Sequence, residues 1–265
     1  MIDIHSHLLP GVDDGSRSLA QSVGVLKLLA DAGITDIVVT PHLRAGEIAA
    51  RGEAAILVRD ERLAELKAAA PPGIRLHAGF EIMLDRPLPP EALGDRRYAL
   101  AGSRYYLVEF PLSVMGHLVA DVLQVISAKG LVPIVAHPER YHLCTARTVD
   151  LWRTVGAAIQ VDATTMTRPT SQGELARRLL RAGLADVLAA DNHGDRRSLA
   201  TGRRFLEQRG AADAATWLTV ENPRAVISDG RLVPVPKAKL RVGLAERVRG
   251  WLELTRETGR GKRES

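Results

Sequence analysis

Met1-Ile2-Asp3-Ile4-His5-Ser6-His7-Leu8-Leu9-Pro10-Gly11-Val12-Asp13-Asp14-Gly15 opens the chain. Apolar and polar residues alternate from Ile2 to His5, as they do in a half-buried strand. Side chains two positions apart on a strand point to the same face, so His5 and His7 can bind one metal ion together. The following turn adds Asp13 and Asp14, whose ionised carboxylates act only as acceptors. This arrangement predicts a metal site rather than two isolated surface or core histidines.

Short apolar runs alternate with helix-length segments through most of the chain. The predicted strands are Met1–His5, Asp36–Thr40, Arg75–Glu81, Tyr105–Phe110, Val132–Ala136, Ala158–Asp162 and Val187–Ala190. The predicted helices are Leu19–Ala32, Glu53–Ala70, His117–Lys129, Gly173–Ala182, Ser198–Gln208 and Ala211–Leu218. This alternation predicts βαβ units and a parallel sheet. Seven strands in 265 residues favour a closed or nearly closed barrel.

The composition is that of a globular protein, with 46% hydrophobic and 25% charged residues. Cys144 is the only cysteine, which excludes a disulfide framework and a thiolate zinc site. No apolar run is long enough to cross a bilayer, and no basic segment followed by an apolar one begins the chain. We therefore expect a cytoplasmic protein with no stable membrane insertion.

The positive charge is concentrated at the C-terminal end. Residues 237–265 contain nine Lys or Arg and four Glu, so they account for the whole formal net charge of +5. The sequence therefore predicts two parts, a neutral domain over residues 1–236 and a basic C-terminal helix or tail over residues 237–265. A solvated terminus is the simpler interpretation of the tail, and contact with an acidic partner is the alternative.

Candidate metal ligands recur at the ends of the predicted strands. Together with Asp14 they are His5, His7, His42, Glu81, Glu109, His137, Asp191 and His193. The C-terminal ends of parallel barrel strands meet on the face where active sites form. Five histidines and four carboxylates exceed the needs of one ion and suit Mn, Fe or Zn. Clusters of such ions are typical of phosphoester hydrolysis.

Several further segments, in the same order along the chain, support a family resemblance. They are Thr40-Pro41-His42, Gly79-Phe80-Glu81-Ile82, Ser103-Arg104-Tyr105-Tyr106-Leu107-Val108-Glu109-Phe110, Ala136-His137-Pro138-Glu139-Arg140-Tyr141, Asp191-Asn192-His193 and Glu221-Asn222-Pro223. With residues 1–15, they resemble the PHP (polymerase and histidinol phosphatase) domain. The likeness is greatest to the capsule- and exopolysaccharide-associated, manganese-dependent protein tyrosine phosphatases of bacteria. This resemblance implies an α/β fold, a single-domain, PHP-type distorted (β/α)7 barrel.

The resemblance also implies roles for individual residues. The first of three divalent metal ions would be held by His5, His7, Glu81 and Asp191, the second by Glu81, Glu109 and His137, and the third by Asp14, His42 and His193. The expected metal is Mn, with Fe, Zn or Mg as alternatives. Arg140 matches the family's phosphate-binding arginine, and either Arg197 or Arg196 matches its second one. Asp162 can support the site or be purely structural.

The resemblance implies a phosphomonoesterase that hydrolyses phosphotyrosine in proteins by attack of a metal-bound hydroxide. Its expected partner is a bacterial tyrosine autokinase of polysaccharide synthesis or export. A cysteine-dependent mechanism is excluded because Asp150 stands where a C-x-x-x-x-x-R loop from Cys144 would need its arginine. A small-molecule phosphatase acting on histidinol phosphate is the alternative. A metal- or nucleic-acid-binding module is a remote third, because no basic stripe with aromatic residues precedes the tail, and we expect no nucleic-acid partner.

Overall fold

Nine short parallel strands form the centre of the computed structural model, which describes residues 1–241. The strands are β1 (Ile2–Asp3), β2 (Asp36–Val39), β3 (His42–Arg44), β4 (Arg75–Ala78), β5 (Glu81–Met83), β6 (Tyr105–Glu109), β7 (Val132–Val135), β8 (Ala158–Asp162) and β9 (Val187–Ala189). The helices are α1 (Leu19–Asp31), α2 (Ile48–Ala69), α3 (Gly116–Ser127), α4 (Ala146–Thr154), α5 (Ser171–Ala182), α6 (Leu199–Gln208), α7 (Ala212–Thr216) and α8 (Asn222–Ile227). Strands and helices thus alternate as predicted, in a single α/β domain.

The strands belong to two sheets with the orders β1-β2-β4 and β3-β5-β6-β7-β8-β9, and every pair is parallel. Strands β2 and β3 are successive parts of one extended segment, interrupted at Thr40 and Pro41. Pro41 has no N–H group to donate to a ladder. The predicted strand Arg75–Glu81 is wrong as one element, because Gly79 and Phe80 separate β4 from β5. Neither β3 nor residues beyond Glu81 in β5 were predicted as strand.

The N-terminal segment hydrogen-bonds to the chain on both sides. The backbone N–H of Thr40 donates to the carbonyl of Ser6 at 2.8 Å. On the other side, the N–H of His7 donates to the carbonyl of Asn192 at 2.7 Å, and that of Asp191 to His5 at 3.1 Å. Residues 5–7 therefore lie between the segment that follows β2 and the segment that follows β9.

Successive strand residues pack into two different apolar clusters. In β6, Tyr106 and Val108 belong to a large cluster shared with the helices, whereas Tyr105 and Leu107 belong to a smaller one. Side chains alternate between the two faces of a strand, so β6 is buried on both. This double burial explains why the strands read as continuous apolar runs in the sequence.

Helix boundaries follow local capping signals. Ser18 caps α1 by accepting from the N–H of Gln21, and Gly183 ends α5 in the left-handed conformation. The missed helix α4 is capped by Thr145, which accepts from Thr148, and it has only nine residues. The predicted helix Ala211–Leu218 is partly wrong, since a π-helical stretch, Trp217–Glu221, links α7 to α8.

The described part of the C-terminal segment packs against the domain. Ala238 and Leu240 are buried, and the N–H of Ala238 donates to Leu180. The rest of the predicted basic tail, residues 242–265, lies outside the described residues, so the division at residue 236 stays a prediction. Among the helices described, none combines the length and the apolar character needed to span a bilayer.

Candidate metal centre

All nine predicted metal ligands lie on the face where the parallel strands end. His42 begins β3, Glu81 begins β5 and Glu109 ends β6, while the remaining six follow strand ends or the first turn. His42 is in register with Glu81, which places two ligands from distant segments side by side. The fold thereby joins residues far apart in sequence into three groups, and in each group the ligand atoms lie within 4.8 Å of one another.

The inner group consists of His5, His7, Glu81 and Asp191, all buried. Oε2 of Glu81 lies 3.1 Å from Nε2 of His5 and 3.3 Å from Nε2 of His7. Oδ1 of Asp191 lies 3.2 Å from each of the same two nitrogens. This is the set that the sequence assigned to the first metal.

The outward nitrogens of both inner-group histidines have hydrogen-bond partners. Nδ1 of His5 lies 2.9 Å from the amide oxygen Oε1 of Gln160, and Nδ1 of His7 lies 2.7 Å from Oδ2 of Asp13. With each Nδ1 donating to its partner, Nε2 is the nitrogen that the neutral ring would present to a metal. The two Nε2 atoms face each other at 3.1 Å. Two nitrogens at this distance are bridged either by a shared proton or by a metal cation bound to both.

Two carboxylate oxygens of the inner group lie close to the Nε2 atoms of His5 and His7. Oε2 of Glu81 and Oδ1 of Asp191 are buried and have no hydrogen-bond partner among the described residues. Burying an ionised oxygen without a donor is costly unless a cation compensates it. The inner group is thus electrostatically incomplete in the way that a divalent cation would complete.

The middle group consists of His42, Glu81 and Glu109. Nδ1 of His42 lies 3.1 Å from Oε2 of Glu81 and 3.3 Å from Oε1 of Glu109. His137, which the sequence placed with Glu81 and Glu109, lies beside this group, its Nε2 2.9 Å from Oε1 of Glu81. Glu81 thus contacts ligands of both the inner and the middle group, the position of a bridging carboxylate.

The outer group consists of His7, Asp14, His42 and His193. Oδ1 of Asp14 lies 3.5 Å from Nε2 of His42 and 3.6 Å from Nε2 of His193. The sequence placed Asp14, His42 and His193 together, and the structure adds His7. Asp14 is the most open member, with 71% of its side chain exposed, so this group faces solvent.

The charges of the centre shift the pKa values of its members. Burial alone would raise the pKa of Glu81, but His5, His137 and His42 hold it well below its usual range. Burial likewise opposes protonation of His42, yet Glu109 and Glu81 raise its pKa to about 10. Burial and the neighbouring His7 lower the pKa of His193. Glu81 is therefore ionised at neutral pH, as a metal-binding carboxylate must be.

The backbone is strained at two of these positions. His137 has φ 33° and Asp191 has φ 49°, in the left-handed region that non-glycine residues seldom occupy. A Cβ on Gly15 would lie 2.1 Å from the carbonyl oxygen of His7, so only glycine lets the Asp13-Asp14 turn approach the histidine pair. Strain of this kind is concentrated at functional sites.

Comparison with known proteins assigns the family. A model of the capsular polysaccharide synthesis family CpsB/CapC matches residues 1–228. The chain belongs to the CpsB/CapC family. Among curated relatives, the tyrosine-protein phosphatase YwqE of Bacillus subtilis is 30% identical over 203 residues, 73% of this chain and 77% of the relative. The tyrosine-protein phosphatase CpsB of Streptococcus pneumoniae is 28% identical, covering 86% of this chain and 99% of the relative.

Solved structures share the fold of this chain. A structure from the work on YwqE of Bacillus subtilis and CpsB of Streptococcus pneumoniae, described as unique metal-dependent tyrosine phosphatases, matches with a TM-score of 0.73 and 24% identity, over 92% of this chain and 99% of the other. A phosphotriesterase from Mycobacterium tuberculosis matches with a TM-score of 0.53 and 12% identity, over 80% and 86% of the two chains. These likenesses establish a shared fold.

Arg140 and Arg197 of this CpsB/CapC protein both reach the inner group. Nη2 of Arg140 lies 2.7 Å from Oδ2 of Asp191 and also pairs with buried Asp162. Nη1 of Arg197 lies 3.4 Å from the same oxygen of Asp191. Arg196 is exposed and has no ion pair among the described residues. Of the two arginines that the sequence left open, Arg197 is therefore the one at the centre.

Asp13 and Gln160 are the functional candidates of this CpsB/CapC chain that sequence reasoning missed. Asp13 was noted only as part of the turn, and Gln160 was not noted at all. The available signal for Gln160 was a single amide inside the apolar strand Ala158–Asp162. A buried polar side chain in such a strand needs a partner, and here the partner is a metal-binding histidine candidate.

Cys144 is poorly reactive as a nucleophile in this CpsB/CapC protein. Burial, and then the charge of Glu139, raises the pKa of its thiol to about 12. At neutral pH the side chain is therefore a thiol, and a thiol is a poor nucleophile. This agrees with the exclusion of a cysteine-dependent mechanism from the spacing of the sequence.

Proposed function

We propose that this protein is a metal-dependent phosphatase that hydrolyses phosphotyrosine in proteins. The observation that supports it most strongly is the convergence of two imidazole Nε2 atoms on two buried carboxylate oxygens that have no hydrogen-bond partner among the described residues. Family membership adds the reaction, because the relatives YwqE and CpsB are named tyrosine-protein phosphatases.

We assign the nine ligands to three divalent cations, with manganese as the first candidate. The inner group would hold one ion, Glu81 and Glu109 with His137 or His42 a second, and the outer group a third. Mixed imidazole and carboxylate donors suit Mn, Fe and Zn. When bound, such ions lower the pKa of water and neutralise phosphoryl charge.

The chain's own residues would bind and orient the phosphate. Arg140 is held by Asp162 and Asp191, and its other guanidinium N–H groups have no partner among the described residues. Arginine presents paired donors that match phosphate oxygens. Arg197 approaches from the neighbouring loop. A phenolate leaving group, with a pKa of about 10, requires little protonation, so no strong general acid is needed.

We also propose that the two sheets form one distorted seven-segment barrel. Taking β2 with β3 and β4 with β5 as single segments leaves seven, each hydrogen-bonded to the next in chain order. The parallel bridge between Ser6 and Asn192 connects the last segment to the first. This closure supports the (β/α)7 interpretation, and residues 1–236 would form the domain.

The physiological substrate we propose is a bacterial tyrosine kinase of capsule or exopolysaccharide synthesis. The support is the family's connection with capsular polysaccharide synthesis. A single, protonated cysteine is compatible with the reducing cytoplasm, where we place the reaction.

The reaction is tested with protein freed of metal by EDTA and reloaded with Mn²⁺. We expect hydrolysis of a phosphotyrosyl peptide to require the metal and to exceed that of histidinol phosphate in kcat/KM. Cys144→Ser is the control and is expected to retain turnover. Faster hydrolysis of histidinol phosphate would favour the small-molecule alternative, and loss of turnover in folded Cys144→Ser would contradict the mechanism.

The phosphate role is tested with Arg140→Ala. Loss of a positioned donor is expected to lower kcat/KM by about 10²-fold, without lowering metal content, because truncation leaves the ligand Asp191 in place. Arg197→Ala is expected to lose more activity than Arg196→Ala, which removes an exposed side chain. Metal stoichiometry, Tm and kinetics are measured on the same preparations. A normal kcat/KM in Arg140→Ala would refute the assignment.

A further inference from the structure

A cleft of about 510 Å³ lies beside the metal centre. One wall is the loop after β7, with Glu139, Arg140 and His142, and the other is α5, with Glu174, Leu175 and Arg178. Ligand pockets typically measure about 300–1,000 Å³, so the cleft can receive one or two amino-acid side chains.

Arg140 connects this cleft to the metal centre. Its guanidinium contacts Asp191 of the inner group, yet the same residue lines the cleft. A phosphotyrosine whose phosphate meets Arg140 would therefore carry its flanking peptide past this wall. The cleft and the proposed catalytic centre thus share Arg140.

The charged side chains that line the cleft differ in their ion-pair and hydrogen-bond partners. Glu174 pairs with Arg177 at 2.9 Å and with Arg181 at 3.0 Å. Oε1 of Glu139 accepts from the N–H of Asp162 at 2.8 Å. Arg178 is exposed and forms no ion pair within residues 1–241. Among the charged residues that line the cleft, Arg178 is therefore a cation with no ion-pair partner in the described structure.

We propose that this cleft is a subsite for the peptide next to the phosphotyrosine, and that Arg178 selects substrates with an acidic residue there. The inference rests on the proposed phosphotyrosine phosphatase function. Arg178 on α5 and Arg140 on the loop after β7 line the same cleft, so a peptide whose phosphate binds Arg140 can bring a flanking residue to Arg178. An ion pair at a rim position contributes modestly to affinity but discriminates between opposite charges.

The test uses two phosphotyrosyl peptides that differ only in having Glu or Gln at the positions on either side of the phosphotyrosine. The wild-type, Mn²⁺-loaded enzyme is expected to prefer the Glu peptide by about five-fold in kcat/KM, the size of a partly exposed ion pair. The preference should arise in KM. Arg178→Gln is expected to lower the ratio to about one, and Arg178→Glu to invert it.

Arg204→Glu is the matched control, since Arg204 is exposed on α6 and does not line the cleft. This variant is expected to keep the wild-type ratio. An unchanged ratio in both Arg178 variants, or an equal loss with both peptides, would overturn the subsite. Hydrolysis of p-nitrophenyl phosphate by the wild-type enzyme distinguishes failure of the proposed function from failure of the subsite. If the enzyme does not hydrolyse this ester, the proposed phosphatase function is wrong. If it does, the peptide results test the subsite alone.

Discussion

Hydrogen bonds on the outer side of two histidine rings determine which nitrogen faces the metal centre. Asp13 accepts from Nδ1 of His7, and Gln160 accepts from Nδ1 of His5. Both acceptors thereby fix the tautomer in which Nε2 is free to bind a cation. Asp13 and Gln160 lie outside the ligand groups, but they are consequently part of the site.

Asp13→Asn tests this idea. An amide in place of the carboxylate can donate to Nδ1, which would move the proton of His7 to Nε2 and remove a ligand lone pair. We expect Mn²⁺ affinity to fall about 10- to 100-fold with the fold retained. Calorimetric titration with Mn²⁺ measures the change, and Asp121→Asn, in an exposed residue of α3, is the control. Equal affinities in the two variants would rule out the role of Asp13.

Glu139 gives the protein a pH-dependent stability. Burial, and then repulsion from Asp162, raises the pKa of Glu139 from 4.5 to about 8. The native state therefore binds a proton that the unfolded chain has lost over this interval. The contribution of this bound proton to the free energy of unfolding is fully present below about pH 4.5 and is lost as pH rises towards 8.

Glu139→Gln removes this titration and keeps an oxygen for the N–H of Asp162. Its Tm in EDTA should exceed that of the wild type by a difference that grows between pH 5 and 8 and then levels off. The limiting difference is on the order of a few kcal/mol, or roughly 5–10 °C. Glu61→Gln, on the exposed side of α2, is the control. A difference in Tm independent of pH would show that Glu139 does not titrate as described.

Two glycines inside helices have opposite surroundings. A Cβ on Gly202 of α6 would lie 2.7 Å from Cβ of Ala163, whereas one on Gly24 of α1 would meet no atom within 4 Å. Gly202 thus permits α6 to pack on the loop after β8. Gly24 contributes only the backbone freedom that weakens a helix.

The paired substitutions are therefore expected to change stability in opposite directions. Gly202→Ala should destabilise the protein by about 1–3 kcal/mol through overpacking. Gly24→Ala should stabilise it by about 0.5–1 kcal/mol through helix propensity. Thermal unfolding at one pH measures both. An increase in Tm for Gly202→Ala would mean that α6 can move away from Ala163 at no cost.

The sequence was most informative where side-chain alternation and strand ends coincide. Ala158–Asp162 is confirmed with both ends, and the predicted ligands lie together because parallel strands end on one face. The sequence could not show that Pro41 and Gly79 interrupt the ladders, since that depends on pairing partners. Nor could it show that His42, rather than His137, lies between two carboxylates.

Over the whole molecule, the ligand groups connect nearly every strand segment. His5 follows the first segment, while Glu81, Glu109, His137 and Asp191 belong to the third, fourth, fifth and seventh. Cations bound here would cross-link the ends of the parallel strands. A ligand that binds only the native state stabilises it according to its concentration relative to Kd.

The stability of the whole chain should therefore depend on Mn²⁺. After removal of metal by EDTA and exchange into metal-free buffer, Tm should rise with each increment of Mn²⁺. At about 100 times Kd the gain is about 2.7 kcal/mol for one site, or roughly 5–10 °C in a chain of this length. Glu81→Gln, which removes the carboxylate shared by the inner and middle groups, should reduce the rise, whereas Arg204→Glu should preserve it.

A Tm unchanged up to millimolar Mn²⁺ would show that the groups do not bind this ion in the native state. A rise of the same size in Glu81→Gln would instead place the stabilising ions away from Glu81.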